Sequence, residues 1–179
     1  CRVLHLALEG TTVQFEMIVI DDGSKEDICA ETKRKLQKMS AIKFYESHQN
    51  KGPGVARDYG LQFSSGKWVW FLDDDDELDP RGLKTLVDAL SSEFRKEDVI
   101  AHSLQNDYSN HEGELAEKII KKLLYFREKQ EVFNYIFRRE FLLSNEIKFS
   151  EGFHEDIRYL YHVFSEMSGS VSYTHLTLP

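Results

Sequence analysis

The chain is poor in the residues that staple a fold, span a bilayer or grip nucleic acid. Two cysteines in 179 residues, Cys1 and Cys29, exclude a disulfide framework, and neither stands at a metal-ligand spacing. Three prolines exclude a proline-rich linker or repeat. No apolar run approaches the roughly 20 residues of a membrane-spanning helix. Basic residues are outnumbered, 23 Lys and Arg against 31 Asp and Glu, for a net charge of -8 and a pI near 5.4. That balance excludes nucleic acid as a partner, since phosphate backbones need a clustered basic face. The basic runs Lys33 to Lys38 and Lys118 to Lys122 fall in helical patterns and read as solvated faces. What remains, with 41% hydrophobic and 30% charged residues, is the balance of one globular domain. The expected setting is the cytosol, or a membrane touched only at its surface.

The informative stretch is Lys67 to Pro80, Lys-Trp-Val-Trp-Phe-Leu-Asp-Asp-Asp-Asp-Glu-Leu-Asp-Pro. Trp68 to Leu72 is too short for a buried helix and is bounded by Gly66 and Pro80, so it reads as an interior strand. Its C-terminal edge carries four successive carboxylates. Two carboxylates about 4 Å apart repel by roughly 4 kcal/mol at an effective dielectric near 20. Such a group calls for solvent or a cation, and hard oxygen ligands suit Mg²⁺, Mn²⁺ or Ca²⁺. A solvated acidic turn is the plainer reading, weakened by the strand directly before it. An EF-hand fails, because Leu78 stands where the calcium loop needs Gly and Lys84 where it needs Glu.

The rest of the chain alternates strands with helices. Cys1 to Leu8 has helical spacing, and Phe15 to Ile20 is a β-prone run ending in Asp21-Asp22-Gly23-Ser24. Gly23 suits a turn with positive φ, and Ser24 suits a helix cap. Ile42 to Glu46 predicts a second strand, followed by a glycine-containing loop through Gly54 that lacks the P-loop ending. The next helix shows an apolar stripe of Val55, Tyr59 and Phe63, with Arg57 and Asp58 off it. Further on come a helix after Pro80, a strand from Val99 to Leu104, a helix or else a hairpin from Glu114 to Glu128 and a strand from Val132 to Phe137. A short helix follows Arg138-Arg139-Glu140. The last clear helix carries Ile157, Leu160, Tyr161 and Phe164 as its expected buried face, with Glu155-Asp156 in its first turn. Acids there are favoured by the helix dipole whatever their role. Residues 1–167 read as one α/β domain, and 168–179 as a tail without a pattern, frayed or non-native. Acids at two strand ends of such a sheet suit nucleotide binding.

Taken in order, Asp21-Asp22-Gly23-Ser24, Gly54-Val55-Ala56-Arg57-Asp58, Phe71-Leu72-Asp73-Asp74-Asp75-Asp76 and Glu155-Asp156 resemble the motifs of family 2 glycosyltransferases. The resemblance covers Cys1 to about Met167. It implies a GT-A nucleotide-sugar-binding fold, a mostly parallel sheet flanked by helices, acting by inversion with Mn²⁺ or Mg²⁺. The implied donor is a nucleotide-diphosphate sugar, a UDP-sugar first, and the implied acceptor a saccharide or lipid-linked hydroxyl in bacterial surface polysaccharide synthesis. By similarity Asp21 meets the base with Asp22 beside it. Asp73 and Asp75 match the family's Asp-x-Asp, with Asp75 the direct metal ligand and Asp73 near the ribose or metal-bound water. Asp74 and Arg57 belong to the donor site, Asp156 is the general base and Glu155 supports it.

The chain departs from the family pattern at Asp74, where a small residue is usual, and at Asp58, where Asn is usual. The family's first, central strand is expected upstream of Cys1. Two other readings stay open on the residues alone: a metal-dependent nucleotidyltransferase, and a non-catalytic fragment that binds nucleotide. Arg57 is also a candidate counter-ion for the acidic edge. Arg138 and Arg139 are weaker candidates for a diphosphate contact. Trp68 and Trp70 are expected in the core rather than stacked on a sugar.

Overall fold

The computed structural model describes residues 14–24, 33–39, 41–76, 78, 80–92, 97–103, 131–150, 152, 154–167 and 172–175. The helices expected at Cys1 to Leu8 and Glu114 to Glu128 lie outside the described residues. Within them the chain runs β1 (Met17–Asp22), β2 (Ile42–Ser47), α1 (Pro53–Phe63), β3 (Trp68–Trp70), α2 (Pro80–Ser92) and β4 (Val99–Ser103). A 3-10 turn (Val132–Asn134) then leads into β5 (Tyr135–Arg138), α3 (Arg139–Ser144), α4 (Glu155–Glu166) and β6 (Ser172–His175). The α/β class is as expected.

Two sheets form. β1 and β2 pair in parallel, and β3, β5, β4 and β6 lie side by side in that order. β5 runs antiparallel to both β3 and β4, while β6 runs parallel to β4. The second sheet is therefore mixed, whereas the sequence predicts mostly parallel pairing. Among the described residues no ladder joins β1 to β3. Glu16, just before β1, connects the two sheets instead. Its Oε1 accepts the Ser65 hydroxyl and the N–H groups of Ser65 and Gly66, and its Oε2 pairs with Lys43 at 2.7 Å.

Several boundaries differ from the sequence reading for physical reasons. β1 begins two residues later than Phe15 and continues through both acids, because Asp21 and Asp22 stay in register with Glu46 and Ser47 of β2. The run from Val132 opens as a 3-10 turn, with Val132 fully buried, before extending into β5. Residues 172–175, in the tail read as patternless, form β6 with Tyr and Thr, residues that suit a pleated surface even without an aliphatic anchor.

The core lies between the second sheet and α4. Val99, Phe137, Leu142, Leu160, Val163 and Phe164 are fully buried. The buried face of α4 is Tyr159, Leu160, Val163 and Phe164, while Tyr161 is 47% exposed. The stripe is thus turned from the expected one, since Tyr159 enters an aromatic cluster built by residues distant in sequence, which spacing along the helix does not reveal. It stacks on Phe149 at 3.8 Å and meets Phe71 and Phe137 edge-on at 5.9 and 5.7 Å. Offset and edge-to-face pairs of this kind contribute about 0.5–1.5 kcal/mol each beyond burial. This cluster forms the floor of the site.

Candidate active site

α1 begins after Gly52, whose φ of 90° only glycine adopts easily, and carries Pro in its first turn. Its apolar stripe lies over the smaller sheet, where Phe63 stacks on Tyr45 at 4.0 Å, yet Tyr59 and Phe63 stay 37% and 41% exposed. Gly54 and Leu61 are buried, and Arg57 and Asp58, half a turn off that stripe, turn inward with them. These four share helical spacing i, i+3, i+4 and i+7, a face that hydrophobic periodicity misses because two members are charged.

Gly54 lets this face come close to α4. A Cβ at Gly54 would lie 2.8 Å from the Phe149 Cβ and 3.4 Å from the Glu155 Cγ. Asp58 accepts the Phe149 N–H at 3.2 Å. Burial raises the Asp58 carboxyl from its ordinary value, opposed by that hydrogen bond and by Lys148. The neighbouring Tyr159 hydroxyl is raised well above its usual range, by burial first and then by the Asp58 charge.

Arg57 is the centre of the constellation. Its side chain is only 9% exposed, and its guanidinium lies 5.3 Å from the Phe149 ring centre. Nη2 meets both oxygens of Asp73, at 2.7 and 3.0 Å. Nη1 meets Asp156 Oδ1 at 2.6 Å and, more loosely, Glu155 Oε1 at 3.4 Å. One cation thus ties the end of β3 to the first turn of α4. Burial works against the Arg57 charge, but the bond to Asp73 and the charges of Asp156, Asp73 and Glu155 outweigh it, and its pKa is raised.

Asp156 is held from a second side by the Val132 N–H, which reaches Oδ2 at 2.9 Å. Burial raises the Asp156 carboxyl above its usual value, against the pull of that N–H and of Arg57, with Glu155 and Asp73 adding to the rise. A carboxylate so raised is better suited to take a proton near neutral pH. The turn into α4 passes through two left-handed residues, Gly152 at φ 99° and His154 at φ 62°.

The acidic run after β3 closes on itself. Asp76 donates its N–H to the Asp73 carbonyl, and its carboxylate accepts the Asp73 N–H at 2.8 Å. Asp74 and Asp75 stand exposed at the tip of this turn. Glu77 and Asp79 lie outside the described residues. Among the described residues, no three His, Cys, Asp or Glu side chains form a ready-made metal site. The donor set still fits a hard cation that takes further ligands from a bound molecule, because Asp75 offers exposed carboxylate oxygens.

The acids that end β1 sit differently. Asp21 is 7% exposed and accepts the Ser24 N–H at 2.9 Å. Asp22 accepts the N–H groups of Lys51 at 3.0 Å and Gly52 at 2.7 Å, holding the loop that enters α1. Gly23 has the expected positive φ, 78°, and a Cβ there would meet the Asn50 nitrogen at 2.8 Å.

Other candidates lie elsewhere. Arg138 stacks on Trp68 and donates to the Glu97 carbonyl, and Arg139 donates to the Ser64 hydroxyl at 3.1 Å. Trp70 donates to the Phe133 carbonyl at 2.7 Å and packs against the cluster of Leu86, Ile100 and Ile136. Sequence reasoning missed Phe149, the Val132 N–H and the packing role of Gly54. The spacing of Gly54, Arg57, Asp58 and Leu61 could have signalled Gly54, whereas nothing in the sequence marks a backbone N–H.

Residues 1–150 match the family described as Glycosyl transferase family 2. An uncharacterized glycosyltransferase of Rickettsia bellii is 45% identical over 73 residues, 41% of this chain and 10% of the relative. The succinoglycan biosynthesis protein ExoO of Rhizobium meliloti is 29% identical over 161 residues, 82% of this chain and 45% of the relative. The chain thus spans less than half the length of these curated relatives. Among solved structures, Staphylococcus aureus TarS 1-349 superposes with a TM-score of 0.74 at 20% identity, over 97% of this chain and 52% of that one. A structure of the same protein in complex with UDP gives 0.72.

Proposed function

Because this chain belongs to glycosyl transferase family 2, we propose that it transfers a sugar, with inversion, from a nucleotide-diphosphate sugar to an acceptor hydroxyl. The observation that carries this reading is the convergence of Asp73 and Asp156 on Arg57, a strand-end carboxylate and a helix-start carboxylate facing one another across one guanidinium. Asp156 takes the proton from the acceptor hydroxyl as the acceptor oxygen bonds to the anomeric carbon. The bond from that carbon to the diphosphate oxygen breaks, and the nucleoside diphosphate leaves with the electron pair. Glu155 sits beside Asp156 on the same turn, and its charge helps to raise the Asp156 carboxyl and so strengthens it as a base.

The donor lies along the strand ends, with the base near Asp21 and the diphosphate near Asp73 to Asp75. Asp75 and Asp73 are the residues that would hold Mn²⁺ or Mg²⁺. Such an ion neutralises the diphosphate and stabilises it as a leaving group. A UDP-sugar donor is supported by the TarS complexes with UDP and UDP-GlcNAc. A saccharide or lipid-linked acceptor is supported by ExoO and by a Campylobacter jejuni glucosyltransferase named for an undecaprenol-linked saccharide, 32% identical over 109 residues. No helix among the described residues is long and apolar enough to cross a membrane, and peripheral contact with a membrane that holds the acceptor is part of the proposal.

Asp156→Asn is the direct test. It should lower transfer by about 10³-fold, the usual range for a positioned general base, with UDP affinity kept within about threefold. Unchanged transfer, or loss of transfer and UDP binding together, would contradict the assignment.

A further inference from the structure

We infer that Arg57 is a positioning residue of the transfer reaction: it registers the base-side carboxylates Glu155 and Asp156 on the strand-end carboxylate Asp73. The inference rests on the reading of Asp156 as base and adds what sets that base in place.

A residue that contacts the donor needs N–H groups turned toward it. The terminal nitrogens of Arg57 are turned to carboxylates instead, Nη2 toward Asp73 and Nη1 toward Asp156 and Glu155. Its Nε is buried and has no hydrogen-bond partner among the described residues. The guanidinium is fixed from below as well. The Phe149 ring lies beneath it, stacked on Tyr159, and Asp58 holds the Phe149 backbone N–H. The planar fork is therefore held by α1, by Asp73 beyond β3, by the Phe149 loop and by α4 together. Without that fork, the Val132 N–H is the one partner that Asp156 would keep among the described residues, and one bond leaves the carboxylate free to rotate. The required feature is the fork and not the charge alone, because a lysine ammonium is a point charge that cannot bridge two carboxylates with fixed directions.

Arg57→Lys separates these possibilities, measured in the intact enzyme beside Asp156→Asn. Steady-state transfer gives kcat, calorimetric titration gives UDP affinity, and thermal melting checks the fold. A misplacement of about 1 Å can lower a rate about 10²-fold. Arg57→Lys should therefore lose about 30- to 100-fold in kcat with UDP affinity within about threefold. A kcat within about threefold of the parent would show that charge alone suffices and would overturn the inference. A loss of UDP affinity of about tenfold or more would make Arg57 a donor contact and would overturn it too.

Phe149→Leu supplies a second reading if the lysine variant does not fold. It removes the ring under the guanidinium while keeping apolar volume, and should lower kcat about 5- to 10-fold at unchanged UDP affinity. Unchanged kcat would count against the inference. If Asp156→Asn is inactive while Arg57→Lys is fully active, only the positioning role fails. If Asp156→Asn is fully active, the base reading fails and this inference falls with it.

Discussion

The two acidic strand ends look alike in sequence, each an apolar run ending in adjacent aspartates, but the fold uses them in opposite ways. At the end of β1, Asp21 is buried against Ser24, and Asp22 receives backbone N–H groups from Lys51 and Gly52. After β3, Asp76 closes its own turn, Asp73 is gripped by Arg57, and Asp74 and Asp75 stand open. The first end is a hinge pin and the second a rim. α1 joins them, since its entry loop is held by Asp22 and its Arg57 holds Asp73. A carboxylate's role thus follows from which donors the chain returns to it, and adjacency in sequence does not reveal that.

Substitutions that break this contrast should differ in size. The largest stability effect is expected for Gly54→Ala, which moves α1 against Phe149 and Glu155 and so disturbs the link between the two ends. Overpacking of this kind costs about 1–3 kcal/mol, and denaturant unfolding should show it. Asp22→Ala removes the acceptor shared by the Lys51 and Gly52 N–H groups, of which Gly52 keeps Asn50 Oδ1 at 3.2 Å, and should cost about 1 kcal/mol. Asp75→Asn, at the open end, should change stability by less than about 0.5 kcal/mol. Equal losses for the two aspartates would erase the distinction drawn here.

Glu16 gives a smaller, pH-dependent effect. Burial alone would raise its carboxyl, but hydrogen bonds from Lys43, Ser65 and Gly66 outweigh that and lower it from 4.5 to about 2. A carboxyl lowered in the folded state contributes stability above its unfolded value, and that contribution disappears as pH falls from about 4.5 toward 2. Glu16→Gln should therefore lower the melting temperature at neutral pH and flatten its decline across that window. An unaltered acid decline would show that Glu16 does not link the sheets.

Much of this was readable in the sequence, and the rest was hidden for identifiable reasons. The strands that become β1, β2 and β4 announce themselves by β-prone apolar runs, and α2 by Leu83, Leu86, Val87 and Leu90. The bridge from Arg57 to Asp73 follows from the need of a partly buried acidic edge for compensating charge. Its extension to Glu155 and Asp156, 98 and 99 residues along the chain, depends on tertiary packing that no local pattern encodes. The inward face of α1 was hidden because its members, Gly54, Arg57, Asp58 and Leu61, are mostly not apolar. The buried face of α4 was misjudged at Tyr159 against Tyr161, identical side chains that only the aromatic floor distinguishes.

The central claim is that the open end of β3 holds the donor through a cation while the closed end of β1 shapes the loop beside it. Calorimetric titration of UDP, with and without Mn²⁺, into the parent chain and into Asp75→Asn tests it most directly. The account predicts that Mn²⁺ strengthens UDP binding to the parent by about tenfold or more, and that Asp75→Asn loses this gain while melting at the parent temperature. Mn²⁺-dependent binding that survives Asp75→Asn unchanged would contradict it.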